Sequence, residues 1–114
     1  MPWYFYLFEF VSGLFLTNGV PHFVQGVSGN WFQSPFGYPP GVGESSPLSN
    51  TLWGFANLAV GFVILGFFWP QGSEAAVGWT LMGFGALVAA VRLSTYFGRV
   101  RSIHAGKSHA RQQS

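Results

Sequence analysis

Five side chains in this sequence have the chemistry for a polar site within an otherwise apolar chain. They comprise one carboxylate, two amides, one imidazole and one guanidinium: Glu9, Asn18, Asn57, His22 and Arg92. An ionisable group inside a membrane segment is unfavourable, so its presence indicates a function or a buried partner. We therefore predict that these five residues form the candidate polar site.

The charged members of this set also have simpler interpretations. Glu9 lies within about 10 Å of the outer end of its apolar segment, where a carboxyl can be protonated or hydrogen-bonded. Arg92 lies about one and a half turns from the inner end of its segment, so its side chain can reach the headgroups. Their depths differ by roughly 12 Å, so an ion pair requires tilt or extended side chains. His22 is either an interfacial hydrogen-bonding residue or a pH-responsive one.

No catalytic, cofactor-binding or metal-binding set is predicted. Ser12, Ser45 and Ser46 have no histidine and acid at the spacing that nucleophilic catalysis requires. His104 and His109 lie five residues apart without a nearby carboxylate, which makes a weak metal site at best. The chain has no cysteine, which excludes disulfides and thiolate metal ligands.

Small residues recur at helical spacing in two apolar segments. They are Gly54, Asn57 and Gly61 in one segment and Gly78, Gly85 and Ala89 in the next. Small side chains let helix backbones approach closely in a membrane, and an asparagine can then donate a hydrogen bond across the contact. The pattern predicts that these positions pack helices together.

Three apolar segments must position all of these residues. They span residues 3–20, 51–69 and 76–97. Each is close to the length that crosses a hydrocarbon core of roughly 30 Å. Only 7% of the residues are charged, whereas a soluble domain carries about a quarter. The first segment lacks the positive start and cleavage site of a signal peptide, so we expect it to be retained. The sequence therefore predicts an all-α membrane domain over residues 1–98, with three transmembrane helices.

The connection between the first two segments, residues 21–50, is different in kind. It contains five prolines and five glycines, which exclude one continuous helix. Its aromatic residues are typical of the headgroup level of a membrane; they are Phe23, Trp31, Phe32, Phe36 and Tyr38. Two arrangements remain open. The loop lies on the membrane surface, or part of it re-enters the membrane beneath a covering of protein.

The basic residues are confined to the last quarter of the chain. They are Arg92, Arg99, Arg101, Lys107 and Arg111. This clustering explains the pI of 9.4 without a nucleic-acid partner, and the positive-inside rule places this end in the cytoplasm. We predict a basic, disordered cytoplasmic tail over residues 99–114. The loop of residues 21–50 then lies inside, and the turn of residues 71–74 lies outside.

A run of residues around the first loop resembles small bacterial inner-membrane proteins of uncharacterised function. The residues are Asn18-Gly19-Val20-Pro21-His22-Phe23, Gly26, Gly29, Phe32, Ser34-Pro35-Phe36, Ser45-Ser46-Pro47, Asn50, Trp53-Gly54 and Asn57. The resemblance covers residues 18–61. It implies a location in the bacterial inner (plasma) membrane and no catalytic role. It directs attention to the loop and its junctions with the helices.

The predicted role is non-enzymatic. We expect an accessory or assembly subunit, or a small homo-oligomer, that acts through helix and loop contacts. Its partners would be the lipid bilayer and either its own copies or another membrane protein. The alternative is an oligomeric transporter or channel, because one three-helix chain is too small for the usual repeat-built transporter. Its pathway would be lined by Asn18, Asn57, Glu9 and Arg92. An intramembrane enzyme using His22, Glu44 and the serines ranks third.

Overall fold

The chain folds into three helices with a compact loop and a short turn between them. The computed structural model describes the backbone of residues 2–113 and the side chains of residues 2–103. The helices are α1 (Trp3–Val27), α2 (Pro47–Phe67) and α3 (Ala75–Gln113). Strands β1 (Phe32–Gln33) and β2 (Glu44–Ser45) lie between α1 and α2, and a 3-10 turn (Gly72–Glu74) precedes α3. Helix accounts for 76% of the chain, which confirms the predicted helical fold.

Helix α1 is the centre of this arrangement. It packs along both α2 and α3 over the described residues. Glu9 lies against Gly78, and His22 lies beside Phe97, so α1 and α3 run in the same direction. The buried positions of α1 are all glycine or polar: Glu9, Ser12, Gly13, Gly19, His22 and Gly26. The helix interfaces are therefore built from small and polar residues, and most large apolar side chains face outward.

Glycines set how closely the helices approach. A Cβ added at Gly54 would lie 2.7 Å from the Cα of Phe23 in α1, and one at Gly61 would lie 2.7 Å from Leu16 Cγ. On α3, Gly85 lies against the backbone of Phe10, and Ala89 is buried. The glycines singled out in the sequence, Gly54, Gly61, Gly78 and Gly85, thus lie directly against α1. Gly13, Gly19 and Gly26 make the matching contacts from α1 itself, and the sequence pattern did not identify them.

Helix α1 is longer than the sequence predicted. We expected the first helix to end near residue 20 because Gly19 followed by Pro21 is typical of a helix end, yet the helix continues to Val27. Tertiary packing explains the continuation, because Gly26 lies directly against Thr51 of α2. Gly29 ends the helix with a φ of 78°, and its N–H donates to the Gly26 carbonyl at 3.0 Å. The loop therefore shrinks to residues 28–46.

The other two helices also differ from their predicted bounds, since α2 begins and ends earlier than predicted and α3 is longer at both ends. Helix α2 begins at Pro47, where Ser46 caps it by accepting a hydrogen bond from the Ser49 N–H at 3.1 Å. Helix α3 continues from Ala75 to Gln113, so its backbone is helical through the tail that we predicted to be disordered. The tail contains no proline, and its arginine, lysine, alanine and glutamine residues favour helix.

Two segments are long and apolar enough to cross a membrane, among the residues that the structure describes: Pro47–Phe67 and Gly72–Ile103. They correspond to the second and third predicted spans. Helix α1 has sufficient length at 25 residues, but it carries Glu9, Asn18 and His22 and falls below this level of apolarity. A helix enclosed by two others can carry polar groups that a lipid-exposed helix cannot.

The glycine contacts predict opposite effects for two matched substitutions in α2. Gly54→Ala should lower the stability by about 1 to 3 kcal/mol, because its Cβ would overlap the Phe23 backbone. Gly66→Ala should be neutral or stabilise by up to about 1 kcal/mol, because Gly66 has open space around it and alanine favours helix. Thermal unfolding in a mild detergent measures both. Equal changes in unfolding temperature for the two variants would contradict the close approach of α1 and α2.

Candidate functional site

A buried hydrogen-bond network joins the end of α1 to the start of α2. The side chain of Asn50 is fully buried, and its Oδ1 lies 2.9 Å from Nδ1 of His22. Asn50 Nδ2 faces oxygen atoms, with the Phe32 carbonyl at 3.0 Å and Ser45 Oγ at 2.9 Å. These acceptors fix the orientation of the Asn50 amide, so its oxygen faces the imidazole. His22 therefore carries its hydrogen on Nδ1 and donates it to Asn50.

The network continues into the loop. Strands β1 and β2 pair antiparallel, with Phe32 opposite Ser45. The hydroxyl groups of Ser34 and Ser45 lie 2.6 Å apart, and the Ser34 carbonyl accepts a hydrogen bond from the Gly41 N–H at 2.8 Å. Tyr96 on α3 donates its hydroxyl hydrogen to the Gly41 carbonyl at 2.7 Å. The loop is consequently held to both α2 and α3 and covers the polar network.

A cavity of about 200 Å³ lies between this loop and the helices. Its lining includes His22, Gln33, Trp53, Tyr96 and Phe97. The Gln33 side chain is 2% exposed, and its Oε1 has no hydrogen-bond partner among the described residues. A buried amide oxygen without a partner calls for a water molecule or another small donor.

A second polar contact lies one turn deeper in the helices. Asn18 Nδ2 donates to Asn57 Oδ1 at 2.9 Å, and Asn57 Nδ2 donates to the Trp53 carbonyl at 2.9 Å. Both amides line a groove of about 390 Å³ that also contains Arg92. Three of the five predicted site residues, Asn18, Asn57 and Arg92, therefore come together, and His22 follows Asn18 by one helical turn.

Glu9 lies apart from the other predicted site residues, at the opposite end of α1. Its side chain is 2% exposed, and a Cβ added at Gly78 would lie 2.6 Å from Glu9 Oε2. The hydroxyl of Ser12 donates to the Glu9 carbonyl at 2.7 Å. Glu9 and Arg92 form no ion pair within the described part of the chain. The candidate polar site thus separates into a Glu9 region and a region near the loop.

Several members of the network were not among the predicted site residues: Asn50, Gln33, Ser34 and Ser45. The available signal was the cluster of serines and asparagine just before the second apolar segment. Such residues bond to nearby backbone at turns and helix starts. That signal predicts a cap, but it does not indicate that Asn50 also reaches the imidazole of His22, 28 positions earlier.

Comparison with known proteins adds no assignment to this geometry. No family model, curated protein or solved structure matches the chain. The resemblance to small bacterial inner-membrane proteins therefore stays a prediction. Among the described side chains, no group of three or more histidine, aspartate or glutamate residues could hold a metal ion. The side chains of His104 and His109 lie outside the described residues.

The network predicts that Asn50 holds the loop in place. Asn50→Ala would leave His22 and the loop carbonyls without partners, which costs about 1 to 3 kcal/mol for each buried group left unpaired. The loop should then be cleaved within residues 31–38 under limited proteolysis that spares the wild-type protein. Asn30→Ala is the matched control, because Asn30 makes its side-chain hydrogen bond to Gln25 at an exposed position. Equal cleavage of the Asn50 and Asn30 variants would contradict the role of the network.

Proposed function

We propose that this protein crosses the membrane three times and acts without catalysis, as an accessory or assembly subunit or as a small homo-oligomer. The observation that supports the proposal is an inverted distribution of side chains. Polar groups occupy the interior, and large apolar groups cover the outside.

The interior is polar to an unusual degree. Glu9, Ser12, His22, Asn50 and Asn57 are all at most 4% exposed. Only four hydrophobic residues are buried among those described: Phe32, Leu65, Ala89 and Val100. On the outside, Phe62 of α2 and Leu87 of α3 are 62% and 58% exposed. A soluble monomer rarely exposes large continuous apolar surface, whereas lipid covers such a surface at no cost.

This distribution also supports a membrane-spanning role for α1, in addition to α2 and α3. Its polar residues face α2 and α3, while Leu7, Val20 and Val24 are 48% to 51% exposed. A helix of 25 residues is about 37 Å long, which exceeds a hydrocarbon core of roughly 30 Å. The central position of α1 accounts for its lower apolarity.

Aromatic contacts at the two ends fit the two interfaces of a bilayer. Trp69 and Trp79 have ring centroids 4.9 Å apart at one end, and Phe36 and Trp53 have centroids 5.4 Å apart at the other. Trp53 and Phe67, the last residue of α2, are separated by about 21 Å of helix rise, and Trp69 follows two residues later. Tryptophan and tyrosine concentrate at membrane interfaces, so this separation supports one crossing by α2.

The basic end of α3 supports the orientation. Arg99 and Arg101 are exposed and follow the apolar part of α3, so the positive-inside rule places them in the cytoplasm. The loop of residues 28–46 then lies on the cytoplasmic side. In a bacterium, as the resemblance implies, the membrane would be the inner (plasma) membrane.

The loop offers a surface for contacts. Trp31, Phe36 and Tyr38 are 58%, 64% and 92% exposed, although the residues beneath them are held by the buried network. Rigid aromatic groups bind partners with little loss of conformational entropy. The serine hydroxyls of the network that includes His22 are engaged in structural bonds, since Ser45 Oγ accepts from Asn50 and bonds Ser34. This use favours a contact surface over a catalytic one.

Transport remains the second candidate because Asn18, Asn57 and Arg92 line one groove. A pathway could form where the grooves of several copies meet. Glu9 would not line it, because its side chain is enclosed by α1 and α3. A closed ring of copies would favour this candidate over the accessory role.

The proposal predicts membrane retention and a specific assembly. The protein should stay in the membrane fraction after alkaline carbonate extraction, and native mass measurement in mild detergent should reveal a second chain or a defined small oligomer. Trp31→Ala should reduce that assembly. Trp3→Ala removes an exposed tryptophan at the opposite end (73%, against 58% for Trp31) and should leave it intact. Extraction by carbonate would contradict the membrane location, and a monomer alone would contradict the assembly role.

A further inference from the structure

We propose that the groove lined by Asn18, Asn57 and Arg92 binds an anionic phospholipid. Its phosphate would contact the Arg92 guanidinium, and one acyl chain would lie along the apolar wall of the groove. This inference rests on the membrane location proposed above. It adds a defined ligand to that location.

The groove has the shape and lining for an amphiphile. Its volume is about 390 Å³, within the range of small-molecule sites. Its wall is formed mainly by Leu14, Phe15, Val88 and Leu93. The two asparagines that line it are already bonded to each other at 2.9 Å, so they make few polar demands on a ligand. An acyl chain matches this lining.

Charge identifies the other half of the ligand. Among the described side chains of residues 2–103, Arg92 is the only charged one that lines the groove, it is exposed, and it forms no ion pair. Glu9 lies near Gly78, 14 residues earlier on α3, which corresponds to about 21 Å. A cation at membrane depth is stabilised by an anionic partner or by reaching the headgroups, and a lipid phosphate would provide both for Arg92. Guanidinium binds phosphate through two parallel hydrogen bonds, so a phosphate group is a suitable partner.

The order of residues along the groove gives the lipid a direction. Leu14 and Val88 each lie one helical turn from Asn18 and Arg92, toward the end of the molecule that holds Glu9. Arg99 and Arg101 are exposed beyond Arg92 at the other end. The phosphate would therefore sit toward the basic end and the chain would point toward the middle of the membrane. This is the orientation of a lipid in the leaflet that faces the basic end, where cationic residues attract anionic headgroups.

Native mass measurement of the full chain in mild detergent tests the site, with phosphatidylglycerol and phosphatidylcholine of identical acyl chains as probes. The wild-type protein should retain one phosphatidylglycerol per chain at activation energies that remove phosphatidylcholine. Arg92→Gln should lower retention about fivefold, which corresponds to ~1 kcal/mol for one basic residue near an anionic surface. Arg92→Lys should retain more lipid than Arg92→Gln.

Two controls distinguish lipid binding in the groove from general attraction of anionic lipid to the basic end. Arg99→Gln removes the same charge outside the groove and should lower retention less than Arg92→Gln. Val88→Trp keeps every charge but fills the groove, and should lower retention of phosphatidylglycerol, provided its thermal unfolding matches the wild type. Wild-type retention by a well-folded Val88→Trp variant would overturn the proposal.

Three other results would each overturn the lipid site. They are equal retention of the two lipids, equal losses of lipid for Arg92→Gln and Arg99→Gln, and an acidic partner helix found against Arg92 in place of lipid. A protein that survives carbonate extraction but shows no lipid preference would fail this inference alone. Release of the protein by carbonate would instead remove the membrane location itself.

Discussion

The close approach of α1 to both of its neighbours determines the rest of the structure. Gly54 and Gly61 of α2 and Gly85 of α3 leave no room for side chains at these contacts. Because the contacts are made by glycine, little apolar surface is buried between the helices. Polar groups enclosed there must satisfy one another, as Asn18 and Asn57 do at 2.9 Å. In lipid, where apolar burial does not drive helix association, this kind of packing is the expected solution.

The same constraint produces the candidate site. The end of α1 that emerges beyond Pro21 places His22 beside Asn50, and the loop folds over that pair because Asn50 also donates to its carbonyls. One turn deeper, the small residue Ala89 leaves space beside Asn18, and Arg92 borders that space. An enclosed network near the loop and an open groove in the helices are thus two results of one packing arrangement.

The sequence predicted the features that depend on composition and local spacing. Apolar length identified α2 and the apolar part of α3, and the spacing of Gly54 and Gly61 indicated a packing face. It failed where tertiary contacts override local rules. Pro21 is a helix breaker in isolation, but packing of α1 against α2 carries the helix past it. The Asn50 network could not be predicted because its acceptors come from two separate segments of the chain.

The central claim is that the apolar outer surface faces lipid while the loop faces water. The chain contains no cysteine, so single-cysteine variants can be labelled without background. A membrane-impermeant maleimide applied to membranes that expose the basic end should label Tyr38→Cys, on the loop, and leave Phe62→Cys, on the outer face of α2, unlabelled until detergent is added. The two positions are 92% and 62% exposed in the isolated chain. Labelling of Phe62→Cys in intact membranes at the rate of Tyr38→Cys would contradict the account.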